Sequence, residues 1–346
     1  MPDPARPTIR MIARKAALSH AAVSLALRNH PSIPRKTRIR VKKVAERLGY
    51  KPNALVTALM RQVRSNRPIT AQETIAYLTA DESFSFSKED SGFGQFLLGA
   101  RERAESLGFK LEHFWLGPFG GGARPVAKIL EARGIRGAVI GPIPVRQERM
   151  SLPWDSFAVS AIGFSFDQVQ FHRACHHQVN GMLLLYNRLY GLGYRRIGFA
   201  IMSLDLVRVR HYYLSGYLTS RELNQECQAL PPLIVEDESK LGSLTRWVDR
   251  YKPDVVISIG WAIYRWFASN GIRVPEDLAF AQLSLDGKYK NIAGIDQKSP
   301  LLGATAVDLV IDQLFRNEYG IPERPKMVLL DGEWASGPSA PAIRGS

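Results

Sequence analysis

From residue 73 onward, short apolar runs alternate with longer amphipathic stretches. By length and flanking residues, the runs predict strands at Thr74–Thr79, Phe109–Leu116, Ala138–Pro142, Ala158–Ile162, Arg196–Met202, Leu233–Glu236, Val255–Ile259, Leu278–Leu283 and Met327–Leu330. Between many of them apolar residues recur at helical spacing, which predicts helices over Gln95–Leu107, Val126–Arg133, Val179–Leu192, Leu214–Glu222, Leu241–Tyr251, Ala262–Asn270 and Ala304–Arg316. Such alternation implies parallel sheets with helices on both faces. About 270 residues of it imply two lobes rather than one.

The first sixty residues carry a different pattern. Thr8 is positioned to cap a helix whose apolar side is Ile9, Ile12, Ala13 and Ala16. Ala17-Leu18 makes a short connection, and Ser19 can cap a second helix carried by Ala22, Val23, Ala26 and Leu27. Two short helices joined by so tight a turn describe a helix-turn-helix. Asn29, His30, Pro31 and Pro34 interrupt the pattern. A third helix is expected from about Arg35 to Leu48, with Ile39, Val41, Val44, Ala45 and Leu48 as its apolar side and Gly49 just beyond its end.

Charge changes the meaning of that pattern. Residues 1–67 hold 16 of the 46 Lys and Arg residues and only Asp3 and Glu46 of the 32 acids, so they account for the whole net charge of +14. The remaining residues carry 30 charges of each sign. A basic module joined to a neutral body is the footprint of polyanion binding. A disordered basic tail would give the same sum, but it would lack the helical periodicity and turn signals of residues 8–60. Arg35, Lys36, Arg38, Arg40, Lys42, Lys43 and Arg47 crowd the third helix. Like charges at helical spacing destabilise a free helix, and a phosphate backbone would relieve the repulsion.

Ile12-Ala13, Ala16-Ala17-Leu18-Ser19, Val23-Ser24, Thr37-Arg38, Val41 and Leu48-Gly49-Tyr50-Lys51-Pro52-Asn53 follow one another in fixed order. In that order they resemble the DNA-binding headpiece of the lactose-repressor (LacI/GalR) family of bacterial transcription regulators. The resemblance implies that Thr8, Ser19, Ser24, Thr37, Tyr50 and Asn53 bond DNA phosphates, contacts that fix register without reading sequence. It places His20, Ala21 and Leu25 at recognition-helix positions that face base edges in the major groove. Leu25 and Ala21 depart from the Arg and polar residues common there, which leaves readout to His20 and to apolar contact with thymine methyls; Leu25 could instead pack inward. Arg28 and Asn29 replace the usual Asn-Gly.

The resemblance also implies a hinge helix. Asn53 would cap barely two turns, ALVTALM, too short to be stable alone in water. In the family this segment folds on DNA and pairs with its two-fold mate in the minor groove. Leu59 matches the wedging leucine, and Val56 stands for a minor-groove alanine. Leu59 could equally only pack the hinge pair. A two-fold hinge implies a homodimer and a pseudo-palindromic operator.

In the body the resemblance is looser. It rests on Leu189, Leu192-Gly193-Tyr194-Arg195-Arg196-Ile197, Gly216-Tyr217, Pro253-Asp254 and Gly271-Ile272-Arg273-Val274-Pro275-Glu276-Asp277. It implies a two-lobed periplasmic-binding-protein-like core with a small-molecule effector in the cleft. The polar fork that grips sugar hydroxyls in the family is largely missing. Tyr213 stands for its Arg, Gly260-Trp261 for Asn-Asp, and Ser284-Leu285 for an Asp-rich segment, with Asp286 adjacent. Asp81, Phe84, Trp115, Arg210, Tyr213, Trp261 and Asp286 are the candidate effector residues. Phe84, Phe86, Trp115, Tyr213 and Trp261 could line an aromatic cleft or simply fill the core.

Other chemistry finds little footing. Cys175 and Cys227 cannot build a disulfide framework, which fits a reducing compartment. The absence of a long apolar run and of a secretory N-terminus adds the expectation of a cytoplasmic protein. On a helix, His172 and His176 would share a face at metal-ligand spacing, whereas adjacent His176 and His177 would diverge. Gly120-Gly121-Gly122 lacks the spacing of a phosphate cradle, and no catalytic motif occurs. The expected architecture is multidomain: an all-α helix-turn-helix headpiece (1–51), a hinge helix and linker (52–72), and an α/β two-lobed core with parallel sheets (73–340). The first lobe is expected over 73–165 plus 293–320, and the second over 166–292 plus 321–340. The expected function is a non-enzymatic regulator, a repressor by resemblance, binding double-stranded DNA with no cofactor or metal and tuned by a small molecule. The alternative is a ligand-binding sensor or a non-catalytic regulator without a sugar effector.

Overall fold

The computed structural model describes residues 9–27, 32–48, 73–80, 92–117, 123–143, 152–285 and 291–343. Helices α1 (Ile9–Ala16), α2 (His20–Leu27) and α3 (Arg35–Arg47) come first. Then follow β1 (Thr74–Thr79), α4 (Gly92–Ser106), β2 (Lys110–Trp115), α5 (Ala123–Ala132), β3 (Gly137–Ile140), β4 (Ala158–Ile162), β5 (His172–His176) and α6 (Gln178–Gly191). Next come β6 (Ile197–Met202), α7 (Ser203–Arg208), α8 (Tyr212–Leu223), β7 (Leu233–Val235), α9 (Ser243–Tyr251), β8 (Val255–Ser258) and α10 (Ala262–Ser269). The chain closes with β9 (Ala279–Gln282), β10 (Ala293–Asp296), α11 (Ser299–Arg316), β11 (Met327–Leu330) and β12 (Glu333–Ala335).

The headpiece helices pack around Ile12, Ala13, Ala16, Val23, Ala26, Val41 and Ala45, with Leu18, Leu27, Ile33, Val44 and Leu48 at the rim. Ile39 is a correction to the expected apolar side: it is 47% exposed. Two residues from Val41 is about 200° around an α-helix, which carries the side chain to the opposite surface.

Two six-stranded sheets make the core, in the orders β11-β5-β4-β3-β1-β2 and β12-β10-β9-β8-β6-β7. Among the described residues every pairing is parallel except β10 with β12, which is antiparallel. Alternate positions of each strand feed opposite faces. Ile75, Tyr77 and Val139 join a cluster with α4 and α11, while Ala76, Leu78, Ala138 and Ile140 join one with α5. In the second sheet, Ile197, Phe199 and Ile257 face α6 and α8, and Ala200, Val256 and Phe280 face α9 and α10. Helices thus cover both faces of each sheet, which is why the strands read as continuous apolar runs. Helices α4 and α11 cross where Gly99 and Gly303 leave no room for a Cβ: one built on either would lie 2.0 Å or less from a backbone carbonyl oxygen of the other helix.

The lobe boundaries differ from those expected. β5 lies in the first sheet, not the second, and β10 lies in the second, not the first. β11 returns to the first sheet and β12 to the second. The chain therefore passes between sheets three times, after β5, after β10 and after β11. The strands β5 (HRACH), β10 (AGID) and β12 (EWA) are too short or too polar to signal themselves, although β5 is buried throughout. The strand at β5 also corrects the helical reading of its histidines. Residues four apart on a strand are separated by about 13 Å, too far to share an ion. Among the described residues no helix is long and apolar enough to cross a membrane.

Candidate nucleic-acid interface and interlobe cleft

The turn between α1 and α2 is built by backbone bonds. Leu18 N–H donates to Ala13 O at 3.1 Å and Ala17 N–H to Arg14 O at 3.4 Å. This is the paired closure of a Schellman motif, and it places Ala17 in the left-handed region at φ +50°. The lactose-repressor pattern has Gly at this position; here the turn forms despite a Cβ. Ser19 then caps α2 as its position predicts: its Oγ accepts from Ala22 N–H at 3.1 Å and its carbonyl from Val23 N–H at 3.0 Å.

Capping fixes which face α2 turns outward. Val23 and Ala26 go into the three-helix core. His20 and Ala21 are exposed, and Ser24 and Leu25 are half-buried. These four stand at i, i+1, i+4 and i+5, one continuous stripe of the helix. Leu25 is absent from the headpiece cluster and lies on the outward stripe with His20. On α3, Thr37 is half-buried, and Arg35, Lys36, Arg40, Lys42, Lys43 and Arg47 are exposed. Glu46 is the one acid among the described headpiece residues. The headpiece therefore presents an outward stripe of polar and apolar residues beside a surface that is basic but for Glu46. Thr8, Arg28, Tyr50, Asn53, Val56 and Leu59 lie outside the described residues.

In open parallel sheets, ligands bind outside the carboxyl ends of the strands. In the first sheet that edge includes Phe164, just past β4. In the second it includes α7 after β6, Trp261 after β8 and Gln297 after β10. Contacts tie the two edges together. The Arg208 guanidinium lies 5.1 Å from the ring centre of Phe93 on α4, and that of Arg210 lies 5.3 Å from the ring centre of Phe164. Asp205 lies 3.9 Å from Arg208. Burial pushes the Asp205 carboxyl up, with the Arg208 charge opposing.

The candidate effector residues separate on this geometry. Arg210 and Trp261 are half-buried at the carboxyl-end edge, Trp261 meeting Tyr264 edge-on at 5.9 Å. Trp115 ends β2 and is 42% exposed. Tyr213 is a correction to the aromatic cleft: it is fully buried in the second-sheet cluster, and its hydroxyl accepts from Gln297 Nε2 at 2.7 Å. Burial holds its phenol well above the usual range. Asp81, Phe84, Phe86 and Asp286 lie outside the described residues. Sequence reasoning missed Phe164, Arg173, Asp205, Arg208 and Gln297. An aromatic one step beyond a predicted strand, Phe164 after Ile162-Gly163, was the signal available for one of them.

The histidines of β5 do structural work. His172 Nδ1 accepts from Lys326 N–H at 2.8 Å, and the His177 ring accepts from Asn180 N–H at 3.2 Å to cap α6. His176 is 3% exposed with neither ring nitrogen bonded among the described residues. Burial lowers it to about 4.

Residues 8–53 match the family of bacterial regulatory proteins of the lacI type. The resemblance read from the headpiece motifs therefore holds over the same residues. The whole chain is similar in fold to a transcriptional regulator, CelR, solved with cellobiose: TM-score 0.58, 19% identity, covering 96% of this chain and 100% of that one. It is similar to a lac repressor dimer solved with operator and an anti-inducer: TM-score 0.55, 19% identity, covering 97% and 99%. It is also similar to a transcription-regulator-like protein from Staphylococcus haemolyticus: TM-score 0.61, 15% identity, covering 78% and 99%. At these identities the likeness shows the fold: a helix-turn-helix domain followed by a two-lobed, periplasmic-binding-protein-like core. Among curated proteins none matches the chain.

Proposed function

We propose that this chain is a transcription regulator that binds a pseudo-palindromic operator as a homodimer and represses from it. A small molecule in the interlobe cleft modulates its DNA affinity. The observation that carries the reading is the stripe His20, Ala21, Ser24 and Leu25, turned away from the headpiece core on the second helix of a lacI-type domain. The solved regulators of this fold, one with operator and one with cellobiose, support the pairing of DNA with a small-molecule ligand.

Each residue has a role in this reading. Ser19, Ser24 and Thr37, with Thr8, Tyr50 and Asn53, bond phosphates and set register. Ser19 caps α2 through its oxygen lone pair, which leaves its O–H to donate outward. His20 offers a ring nitrogen to a base edge, Ala21 and Leu25 offer apolar contact to thymine methyls, and Arg28 adds charge at the groove. Val56 and Leu59 act in the minor groove, Leu59 as a wedge whose kink is offset by added contact. Lobe closure through Arg208–Phe93 and Arg210–Phe164 would set the spacing of the two hinge segments and so the order of residues 53–60.

The test is the salt dependence of binding to a duplex the protein selects. Each neutralised phosphate releases counterions. Six to ten such contacts per dimer predict a loss of about 10³–10⁵ in affinity between 50 and 200 mM salt. A flat response would show that the exposed headpiece cations, Arg35, Lys36, Arg40, Lys42, Lys43 and Arg47 among them, neutralise no phosphates.

A further inference from the structure

Four side chains meet where the carboxyl end of β4 faces the turn between α7 and α8. Phe164 is at their centre and 4% exposed. The guanidinium carbon of Arg210 lies 5.3 Å from its ring centre and that of Arg173 lies 5.8 Å away. Tyr212 meets the same ring edge-on at 5.3 Å. Two cations thus stand against one aromatic ring, an attraction of each cation to the ring but a repulsion between the cations.

The two arginines are held differently. Arg173 is 1% exposed and donates to the carbonyls of Gly163 at 3.0 Å and Phe166 at 3.3 Å and to Gln170 Oε1 at 3.4 Å. All its hydrogen-bond acceptors are neutral, and the nearby charge of Asp167 offsets the cost of burial only in part. Burial, joined by the charge of Arg210, pushes its guanidinium down from the usual value. Arg210 leaves the backbone from two successive left-handed residues, itself at φ +52° and His211 at φ +62°. Among the described residues its guanidinium has the Phe164 ring as its contact and no hydrogen-bond acceptor. Its five N–H donors form a rigid fork suited to two oxygens at once. Nearby, Arg208 is the cation that has a carboxylate, Asp205. Among the described residues, this edge therefore carries three arginines against two acids, Asp205 and Asp167.

We propose that the ligand of the cleft carries an oxyanion, a carboxylate or a phosphate, which Arg210 grips from its seat on Phe164 while Arg173 supplies a second, fixed positive charge. The proposal rests on the reading of this cleft as a ligand site and names the class of that ligand. A neutral sugar could accept from the Arg210 fork through its hydroxyls but would bring no negative charge to the two arginines. An oxyanion satisfies both and, placed between the two lobes, adds an attraction that strengthens on closure.

Titration calorimetry on the full chain, in low salt, tests it with three probes: inorganic phosphate, citrate and glucose. Arg210→Ala, Arg210→Lys and Phe164→Leu are compared with the parent, and all four proteins keep the same basic headpiece. Phosphate or citrate should bind the parent, and which of them does so identifies the oxyanion. Binding should weaken at least about tenfold in Arg210→Ala, as expected for a charged hydrogen bond. Arg210→Lys should fall between, because it keeps the charge and loses the fork. Phe164→Leu should weaken binding while keeping both arginines, so the test survives if Arg210→Ala does not fold. Thermal unfolding without ligand reports which variants fold. The proposal is overturned if neither anion binds, if glucose binds as well as they do, or if the parent and Arg210→Ala bind them equally, since the headpiece would then be the anion site. A chain that selects operator DNA but shows any of these results keeps its regulatory role and loses this ligand class. Arg210-dependent anion binding without operator selection gives the reverse.

Discussion

Among the described residues, seven buried ones close the headpiece, two of them valines and four of them alanines. In the core, each sheet is covered on both faces by clusters that include Tyr77, Tyr186, Tyr217, Phe199, Phe267 and Phe280. The headpiece compensates with turns and caps: the Schellman closure at Ala17, the Ser19 cap and a set of cations that, Arg38 apart, is exposed on α3. A unit this small buries little apolar surface and stands near the edge of independent stability. The core holds the opposite balance, with ample burial and polar groups placed inside it, among them Arg173, His176 and Gln297. The headpiece is thus specified by local chemistry and the core by burial. The proposed function sits on the outside of the first and at the inner edge of the second.

The sharpest way to break that comparison is Ile12→Ala. Ile12 is fully buried in the headpiece cluster. Truncation should cost about 2–5 kcal/mol, enough to unfold a small unit and abolish DNA binding. Calorimetry should show the core transition unmoved. A core transition that falls with the headpiece would show that the two regions are not separately stable.

A second test acts on the core. The His176 ring lies against Gly181 and Gly332, close to two of the passages between sheets. A Cβ on Gly181 would be 2.4 Å from its Nε2, and one on Gly332 would be 2.9 Å from its Cε1. His177 and Asp331 are the charged groups that influence it. Its value falls from 6.5 to about 4 through burial, so the unfolded chain takes up the proton first as pH falls. The stabilisation is complete above pH 6.5 and is lost progressively toward pH 4. The loss is on the order of 3 kcal/mol. His113 and His172 are lowered by burial as well and act in the same direction. Thermal midpoints of the core between pH 7.5 and 4.5 should therefore drop, and His176→Leu should flatten most of the slope. An unchanged slope in that variant would assign the acid sensitivity elsewhere.

The smallest effect is local to the headpiece. Ala17 holds a left-handed backbone that costs an L-residue about 1–2 kcal/mol. Ala17→Gly should raise headpiece stability by about 1 kcal/mol, less the entropy glycine adds to the unfolded chain. It should leave the core transition alone. A loss of stability in hydrogen exchange of α1 and α2 amides would mean that the Ala17 Cβ contributes packing the turn needs.

How far the sequence could be read divides along the same line. The three headpiece helices, their turn and the Ser19 cap were legible because each is a short-range pattern. Ile39 went astray because adjacent cations left its face undefined. In the core, the apolar runs located nine strands, but β5, β10, β12 and α7 gave no periodic signal. Their positions are set by pairing across long sequence separations: Met327 meets Arg173 and Glu333 meets Asp296. The same limit applies to the cleft. Arg210 and Trp261 were found as candidates, whereas Tyr213 was taken into the core by its bond from Gln297. Phe164 and Arg173 become a site only when β4 and β5 pair and the α7–α8 turn brings Arg210 to them, a juxtaposition no local pattern encodes.

The central claim is that the outward stripe of α2 reads duplex DNA in a two-fold symmetric assembly. Repeated selection from random duplex DNA by the purified full chain measures it most directly. A motif with two inverted half-sites is predicted, and His20→Ala should relax the base preference at matching positions in both halves, each such contact being worth about 1–3 kcal/mol of discrimination. No enriched motif, a single asymmetric site, or a symmetric motif that His20→Ala leaves untouched would contradict the account.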